Sequence, residues 1–254
     1  MSLSIALVLL AAATSLLAQV APPLAFEAAS VKPSDPANLR VRIGTDRGGR
    51  FEAVNQTVAT MTRFAYDVES HQLYGAAGWI TSERYDVAAT AGRDASGPDL
   101  RAMLRTLLAE RFGLRARPET RELPIYALTT ARQDRRLGSQ LSPTRGNCAE
   151  QRTCGITSGP DGAVWRARGG GASMEQFSRF LRLHLRDRLV FDRTGLTGQF
   201  DFELRWTPDE QVTIDSGAPP LVTALQEQLG LKIESARGPV PVVVIESAAR
   251  PVVD

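Results

Sequence analysis

Two aspartates, Asp86 and Asp201, are the residues of this sequence whose type and placement could act together chemically. They stand at matching places in two similar strings, Tyr85–Val87 and Phe200–Phe202. Two carboxylates brought close together can share acid and base roles, because their surroundings push their pKa values apart. The other interpretation is that both lie on the solvent-facing side of a half-buried strand, together with neighbouring Glu203.

The chain holds two histidines, His71 and His184. His184 falls on or beside the apolar stripe of a predicted helix, which is typical of a structural histidine. The run Gly169–Gly171 precedes a helix but lacks the Lys-Ser/Thr pair of nucleotide sites, so we interpret it as a flexible strand-to-helix turn. Zinc-protease, nucleophile-elbow and dinucleotide-binding motifs are absent. The sequence therefore predicts no catalytic, cofactor-binding or metal-binding residue.

Cys148 and Cys154 are the only cysteines, and they lie in a polar segment. In an oxidising compartment a pair this close in sequence favours a disulfide, which we predict. Half of a metal site and a redox pair are the alternatives. Neither histidine is near in sequence, and the spacing is not Cys-x-x-Cys, so both alternatives lack support.

Four large aromatic residues lie near predicted turns: Tyr74, Trp79, Trp165 and Trp206. They could line a ligand cleft between two lobes. Residues of this kind more often complete a small core.

Composition restricts the possible partners. The 254 residues are 43% apolar, which is enough for a substantial core. The formal charge is only +2, too little to hold nucleic acid or an anionic membrane. We expect an unknown protein or small-molecule ligand of the cell envelope, with no nucleic acid.

The first residues resemble an export signal, and we predict a signal peptide over residues 1–18. Ile5–Ala13 is continuously apolar, and Ala18 precedes Gln19 as a cleavage position. The leading segment has no Lys or Arg, so an uncleaved anchor is the alternative, although the apolar stretch is short for a bilayer. We expect an exported protein, periplasmic or extracellular, with no membrane span in the mature chain.

Behind these residues lies a long internal repeat. Residues 104–132 match 221–249 without a gap at an offset of 117, as in Gly113 and Gly230. Upstream, 57–64 resembles 173–180 after small insertions. A repeat of this length indicates two copies of one structural unit.

Each copy reads as β-α-β-α-β-β. Thr57 and Ser173 are the predicted N-caps of the first helix in each copy. Alternation over 199–206 predicts a strand with one buried face. Leu100 to Phe112 follow a helical apolar stripe, ended by Gly113. A hairpin should follow in each copy, formed by 114–117 with 124–130 and by 231–235 with 241–247.

The expected fold class is therefore α+β, with two tandem β-α-β-α-β-β repeats, mainly antiparallel sheets and pseudo-two-fold symmetry. Residues 26–132 should form the first repeat and 163–254 the second. Residues 133–162 should form a flexible connector that carries the disulfide.

Several strings together resemble a known family: Phe26–Pro33, Gly78–Ile80, Leu107–Leu114, Glu119–Leu128, Asp192–Phe202 and Leu225–Lys232. They are similar to the soil-associated TIGR03435 family, the DUF3738 domain, over nearly the whole mature chain. The resemblance implies an exported protein of a kind abundant in acidobacteria, with no assigned activity. Related domains are attached to membrane metallopeptidases, a half that this sequence lacks, so no zinc chemistry is implied.

Each copy also resembles the short N-terminal domain of secretins and TonB-dependent receptors, in which a helix, Gly-Leu and a strand pair follow one another. This likeness implies an interaction module of the envelope. We expect a non-enzymatic binding module that uses its sheet edges or the groove between lobes. The alternative is an envelope hydrolase with acidic residues at the junction of the two repeats.

Overall fold

A computed structural model describes residues 23–146, 154–208 and 217–251 of the chain. They form a mixed α and β structure with mostly antiparallel sheets, which confirms that part of the predicted fold class. The chain divides into two compact units. The first unit lies within Met1–Tyr66, Gly78–Leu114 and Ala248–Asp254, and the second within Asp67–Ala77 and Arg115–Ser247.

The strands, in chain order, are β1 (Ala28–Pro33), β2 (Arg42–Asp46), β3 (Arg50–Thr57), β4 (Leu73–Tyr74), β5 (Arg84–Thr90), β6 (Arg115–Thr130), β7 (Leu141–Pro143), β8 (Gly155–Asp161), β9 (Val164–Ala172), β10 (Val190–Asp192), β11 (Phe200–Trp206) and β12 (Leu231–Ser247). The helices are α1 (Val58–Tyr66), α2 (Trp79–Ser82), α3 (Gly97–Phe112), α4 (Met174–Arg182) and α5 (Leu221–Ala224). A 3-10 turn spans Ser70–Gln72, and a π-helical turn over Leu225–Leu229 continues α5.

In its described part, the first unit forms one antiparallel sheet in the order β1-β5-β3-β2. α3 begins with a capping box at Ser96 and ends at Gly113, which has the left-handed conformation expected of a C-cap. Its buried residues are those of the predicted stripe: Leu100, Met103, Leu104, Leu107, Leu108 and Phe112. Thr57 directly precedes α1, and its Oγ1 accepts a hydrogen bond from the backbone N–H of Thr60, as the sequence predicts.

Residues 248–251 follow the second unit in the chain but belong to the first unit. The backbone N–H of Ala249 donates to Phe112 O at 2.7 Å. Arg250 Nε donates to Glu83 Oε1 at 3.0 Å, and its guanidinium lies 5.4 Å from the centre of the Trp79 ring. Tyr85 Oη donates to the same carboxylate at 2.9 Å. We call these residues, Trp79, Glu83, Tyr85 and Ala249–Arg250, the tail latch.

The described residues of the second unit form two sheets. One is antiparallel, in the order β7-β11-β9-β8. The other has the order β10-β6-β12-β4, with β6 and β12 antiparallel and the short outer strands parallel to their neighbours. α4 begins with the predicted capping box, in which Ser173 and Gln176 exchange hydrogen bonds. Phe177, Leu181, Leu204 and Trp206 belong to the main core of this unit.

The two predicted hairpins are wrong. β6 and β12 are each a single continuous strand, 16 and 17 residues long, and they pair with one another along their whole length. The paired residues of β6 and β12 are therefore more than a hundred positions apart in the chain. The polar residues that indicated a turn within each copy continue the strand instead.

Four prolines fit into this pair of strands because of their register. Pro118 and Pro124 lie opposite Val243 and Arg237, and Pro239 and Pro241 lie opposite Glu122 and Thr120. All four pairs contain an even-numbered residue of β6. The N–H of even-numbered Tyr126 donates to Leu189 O, away from β12. The prolines thus occupy positions where the strand pair requires no N–H.

The expected connector, residues 133–162, is not free of regular structure in its described part. β7 and β8 lie within it and form the two edges of the antiparallel sheet of the second unit. The glycines of Gly169–Gly171 are likewise part of β9 and not a turn after it. No described helix is both long and apolar enough to span a membrane.

Candidate functional site

The open face of the sheet β7-β11-β9-β8 carries a groove of about 520 Å³. We call it the polar groove. Its lining residues are Ser139, Gln140, Ser142, Thr144, Cys154, Gly155, Thr157, Arg168, Gly169, Gly170, Asp201, Phe202 and Glu203. Hydroxyl, amide, guanidinium and carboxylate groups dominate this set. The groove therefore offers both hydrogen-bond donors and acceptors.

Strand alternation produces this surface. On β11 the residues Phe200, Phe202, Leu204 and Trp206 are buried, so Asp201 and Glu203 project to the opposite face. Glu203 lies opposite Arg168 on β9, which lies opposite Thr157 on β8. A Cβ at Gly169 would overlap the Phe202 ring, so the glycine lets that ring pack on the core side.

Arginines hold Glu203 as an anion. Hydrogen bonds from Arg166 keep the pKa of Glu203 below its ordinary value, and Arg168 acts in the same direction. Arg166 Nε lies 2.9 Å from Glu203 Oε1, and Arg168 Nε lies 3.4 Å from Oε2. Arg166 also lies 3.6 Å from Asp161. A carboxylate paired in this way serves as a fixed acceptor and is a poor proton donor near neutral pH.

Asp201 joins three strands through one oxygen atom. Its Oδ1 accepts from Thr144 Oγ1 at 2.7 Å and from the N–H of Gly171 at 2.9 Å. Gly171 has φ +59° and belongs to a β-bulge of β9, where two residues lie opposite Asp201. The carboxylate therefore binds the bulge on one side and the end of β7 on the other.

Asp86 makes the same two kinds of hydrogen bond in the first unit. Its Oδ1 accepts from Ser34 Oγ at 2.6 Å and from the N–H of Asn55 at 2.8 Å. Asn55 has φ +56° and belongs to a bulge of β3. The described partners of each aspartate lie in its own unit, so these contacts assign each a structural role, not a place in one acid–base pair.

His184 lies among aromatic rings of the second unit. Its ring centre is 4.9 Å from that of Trp206, 5.0 Å from Phe180 and 5.6 Å from Trp165. Burial lowers the pKa of His184, and the positive charge of Arg186 lowers it further. Among the described residues, its Nε2 has no hydrogen-bond partner, and neither ring nitrogen of His71 has one. Within these ranges the three nitrogens orient no nucleophile.

The other predicted candidates belong to packing. Trp206 is buried in the main core of the second unit, and Trp165 packs against it. Tyr74 packs beside a smaller core of that unit and lies 4.3 Å beneath Arg121. Cys148 lies outside the described residues, so the Cys148–Cys154 disulfide stays a prediction. Within the described ranges no group of three His, Cys, Asp or Glu side chains could hold a metal ion.

The sequence indicated the open face of β11 but not the groove. Alternation over 199–206 placed Asp201 and Glu203 on a solvent-facing side. The walls of the groove come from β7 and β8, which are three and seven residues long and lie in the Gly- and Ser-rich segment taken for a connector. β7 is too short for a periodic signal, and the Gly and Pro residues of β8 are typical of a loop and lower its strand propensity.

A comparison with known protein families gives a match over most of the chain. A family described as "Protein of unknown function (DUF3738)" matches residues 59–248. No curated protein and no solved structure gives a significant match.

Proposed function

The chain belongs to the DUF3738 family of proteins of unknown function, and from its own residues we propose that it is an exported, non-enzymatic binding module of the cell envelope. Its ligand site in this proposal is the polar groove. The ligand is a polar molecule rich in hydroxyl or amide groups, of the size of a disaccharide or short peptide.

The observation that carries this proposal is the charge state and bonding of the groove carboxylates. Glu203 is held as an anion by two arginines, and Asp201 Oδ1 is occupied by two hydrogen bonds. Both act as positioned acceptors, while Thr157 and Arg168 supply donors. The volume of about 520 Å³ lies within the usual range for small-ligand sites. The alternative, an envelope hydrolase using Asp86 and Asp201, gains no support from their described contacts.

A substitution that fills the polar groove with a large side chain tests the ligand site. Thr157 is exposed on β8 and lines the groove, whereas Ser158 is exposed on the same strand and alternates to the other face. We expect Thr157→Trp to abolish binding of soluble disaccharide–peptide fragments of cell wall, and Ser158→Trp to preserve it. The measurement is the NMR chemical-shift change of ¹⁵N-labelled protein during titration. Shifts away from the groove, equal binding by both variants, or no binding at all would reject the site.

Export is supported by the apolar stretch Ile5–Ala13 and by the position of Ala18 before Gln19. In an exported chain Cys148 and Cys154 would form the disulfide. N-terminal sequencing of the protein recovered outside the cytoplasm should begin at Gln19. An uncleaved N-terminus in a membrane fraction would support the anchor instead.

The likeness to the narrower, soil-associated TIGR03435 family is compatible with a duplicated chain. We also propose that the chain arose by duplication and retains pseudo-two-fold symmetry. Three features support this. The sheets β1-β5-β3-β2 and β7-β11-β9-β8 have corresponding strand orders. Asp86 and Asp201 bind corresponding bulges. Glu122 pairs with Pro239, its own equivalent at the offset of 117, midway along β6 and β12.

A further inference from the structure

β2 forms one edge of the sheet in the first unit. It pairs with β3 on one side, and no described strand pairs with its other side. A free edge offers backbone N–H and C=O groups to another strand. Proteins usually protect such an edge with a bulge, a proline or projecting charges.

The residues that lead into this edge are unusually apolar for an exposed segment. Leu39 is 88% exposed and Val41 is 64% exposed. Arg40 and Arg42 alternate with them, and both form ion pairs with Glu52 on the open face of the sheet, at 3.4 and 2.7 Å. The arginines are thus held on one face, while the two apolar side chains project from the other into solvent.

We propose that this edge binds the β2 edge of a second copy of the chain, antiparallel and centred on Gly44. The strand runs from Arg42 to Asp46, so this centre pairs each copy of β2 over its full length. It also places Arg42 opposite Asp46 of the other copy, twice, because both lie two residues from Gly44. Within one copy, Arg42 and Asp46 form an ion pair at 2.5 Å. Each therefore has a partner of opposite charge both in the monomer and in the dimer. The contact is isologous, as in most homodimers.

The remaining side chains are compatible with this register. At the two-fold axis Gly44 faces Gly44, and a Cβ there would meet nothing within 4 Å. Ile43 lies opposite Thr45 of the other copy. Residues 47–49 form the turn to β3, where Gly49 is buried, so the pairing is confined to Arg42–Asp46 and leaves Val41 and Leu39 just beyond its end. No like charges face each other across the pair.

Two charge reversals test the dimer and its register together. Asp46→Arg and Arg42→Asp each place like charges opposite one another, so each variant alone should dimerise at least about tenfold more weakly than the wild type. In a mixture of the two variants, the introduced arginine of one copy lies opposite the introduced aspartate of the other. The unchanged Arg42 and Asp46 then also face each other, and a 1:1 heterodimer should form.

The measurement for these variants is sedimentation equilibrium of the full chain. Circular dichroism verifies that each variant is folded, and Glu110→Arg on the exposed face of α3 is the control. A mixture that forms no heterodimer would overturn the proposed register.

A cross-link provides a second test that does not depend on charge. Gly44→Cys should form a disulfide between copies under mild oxidation, because the two Cα atoms face each other at the axis. Thr45→Cys, one residue from the axis and on the other face, should form far less. A wild-type chain that stays monomeric at 100 times the lowest protein concentration that the assay can measure would overturn the proposal. Equal cross-linking at both positions would overturn it as well.

Discussion

Among single residues, Asp86 and Asp201 show that two carboxylates at matching positions, as in a catalytic pair, can instead have structural roles. Asp86 and Asp201 each accept a hydrogen bond from a bulge N–H and another from a hydroxyl at the end of a neighbouring strand. The sequence correctly placed both on the open side of a strand. It could not show the bulges, because Asn55 and Gly171 lie on other strands, and their residue types permit a positive φ without locating a bulge.

Replacing Asp201 should reduce stability in proportion to the bonds lost. Asp201→Ala leaves the Gly171 N–H and the Thr144 hydroxyl without their acceptor, which should cost about 1–3 kcal/mol of unfolding free energy. Asp201→Asn keeps an acceptor oxygen and should cost less. Urea unfolding measures both, with exposed Asp94→Ala as the control. Equal stability of all three variants would contradict the structural role.

His184 should make stability fall as the solution is acidified. Burial among Trp165, Phe180 and Trp206 lowers its pKa in the folded state. An unfolded histidine titrates near pH 6.5, so below that value the unfolded chain binds a proton that the folded chain resists. The contribution is complete above about pH 6.5 and is lost as the pH falls toward the lower folded value.

His184→Phe keeps an aromatic ring in the cluster and removes the titrating group. The free energy of unfolding, measured in urea between pH 5.5 and 7.5, should therefore vary less with pH in this variant than in the wild type. Leu183→Gln, at an exposed neighbouring position, should retain the wild-type slope. A variant slope equal to that of the wild type would show that another group is responsible.

Among the elements, the longer helices were predictable, whereas α2 and the partners of the strands were not. The stripe from Leu100 to Phe112 and the caps at Ser173, Gly113 and Gly230 depend on residues within a few positions of each other. The partner of β6 depends on β12, more than a hundred residues away. A polar stretch containing Pro and Gly favours a turn on local grounds, and a paired strand accommodates it only where the register needs no proline N–H. Only the tertiary pairing separates the two.

Proline substitutions should distinguish the two kinds of position along this strand pair. Thr120 is an even-numbered residue of β6, like Pro118 and Pro124, so Thr120→Pro loses no hydrogen bond to β12. Ala236 pairs with an odd-numbered residue of β6, so Ala236→Pro should remove a hydrogen bond between the strands and cost about 1–3 kcal/mol. Comparison of urea midpoints measures the difference. A larger loss for Thr120→Pro would show that the register is different.

At the scale of the whole molecule, sequence order and unit membership differ. The expected divisions at residues 133 and 163 follow the sequence repeat, whereas the second unit also takes Asp67–Ala77 and the first takes Ala248–Asp254. No composition change marks these exchanges. The tail latch depends on pairs such as Glu83 and Arg250, which only the folded chain brings together. Arg250 holds the pKa of Glu83 below its ordinary value, and burial, with the hydrogen bond to Glu83, raises that of Tyr85 to about 12.

Truncation after Ser247 should loosen the first unit. It removes the bond from Ala249 to Phe112 and the ion pair between Arg250 and Glu83. Hydrogen–deuterium exchange should become faster in α2, β5 and the end of α3, with smaller changes in β9 and β11. Truncation after Pro251 keeps the latch and is the matched control. Uniform exchange rates across all three proteins would mean that the latch contributes nothing.

The tail latch also determines when the first unit can close. Its last contributing residues follow Ser247, so a ribosome must synthesise all of 115–247 before they emerge. During translation, and again if the chain is threaded through a translocon, the sheet formed by β1, β2, β3 and β5 therefore lacks this segment until the rest of the chain has emerged. Arrest of the nascent chain shortly before residue 248 would therefore leave a protein with an accessible, half-finished N-terminal unit, which is a substrate for chaperones and proteases.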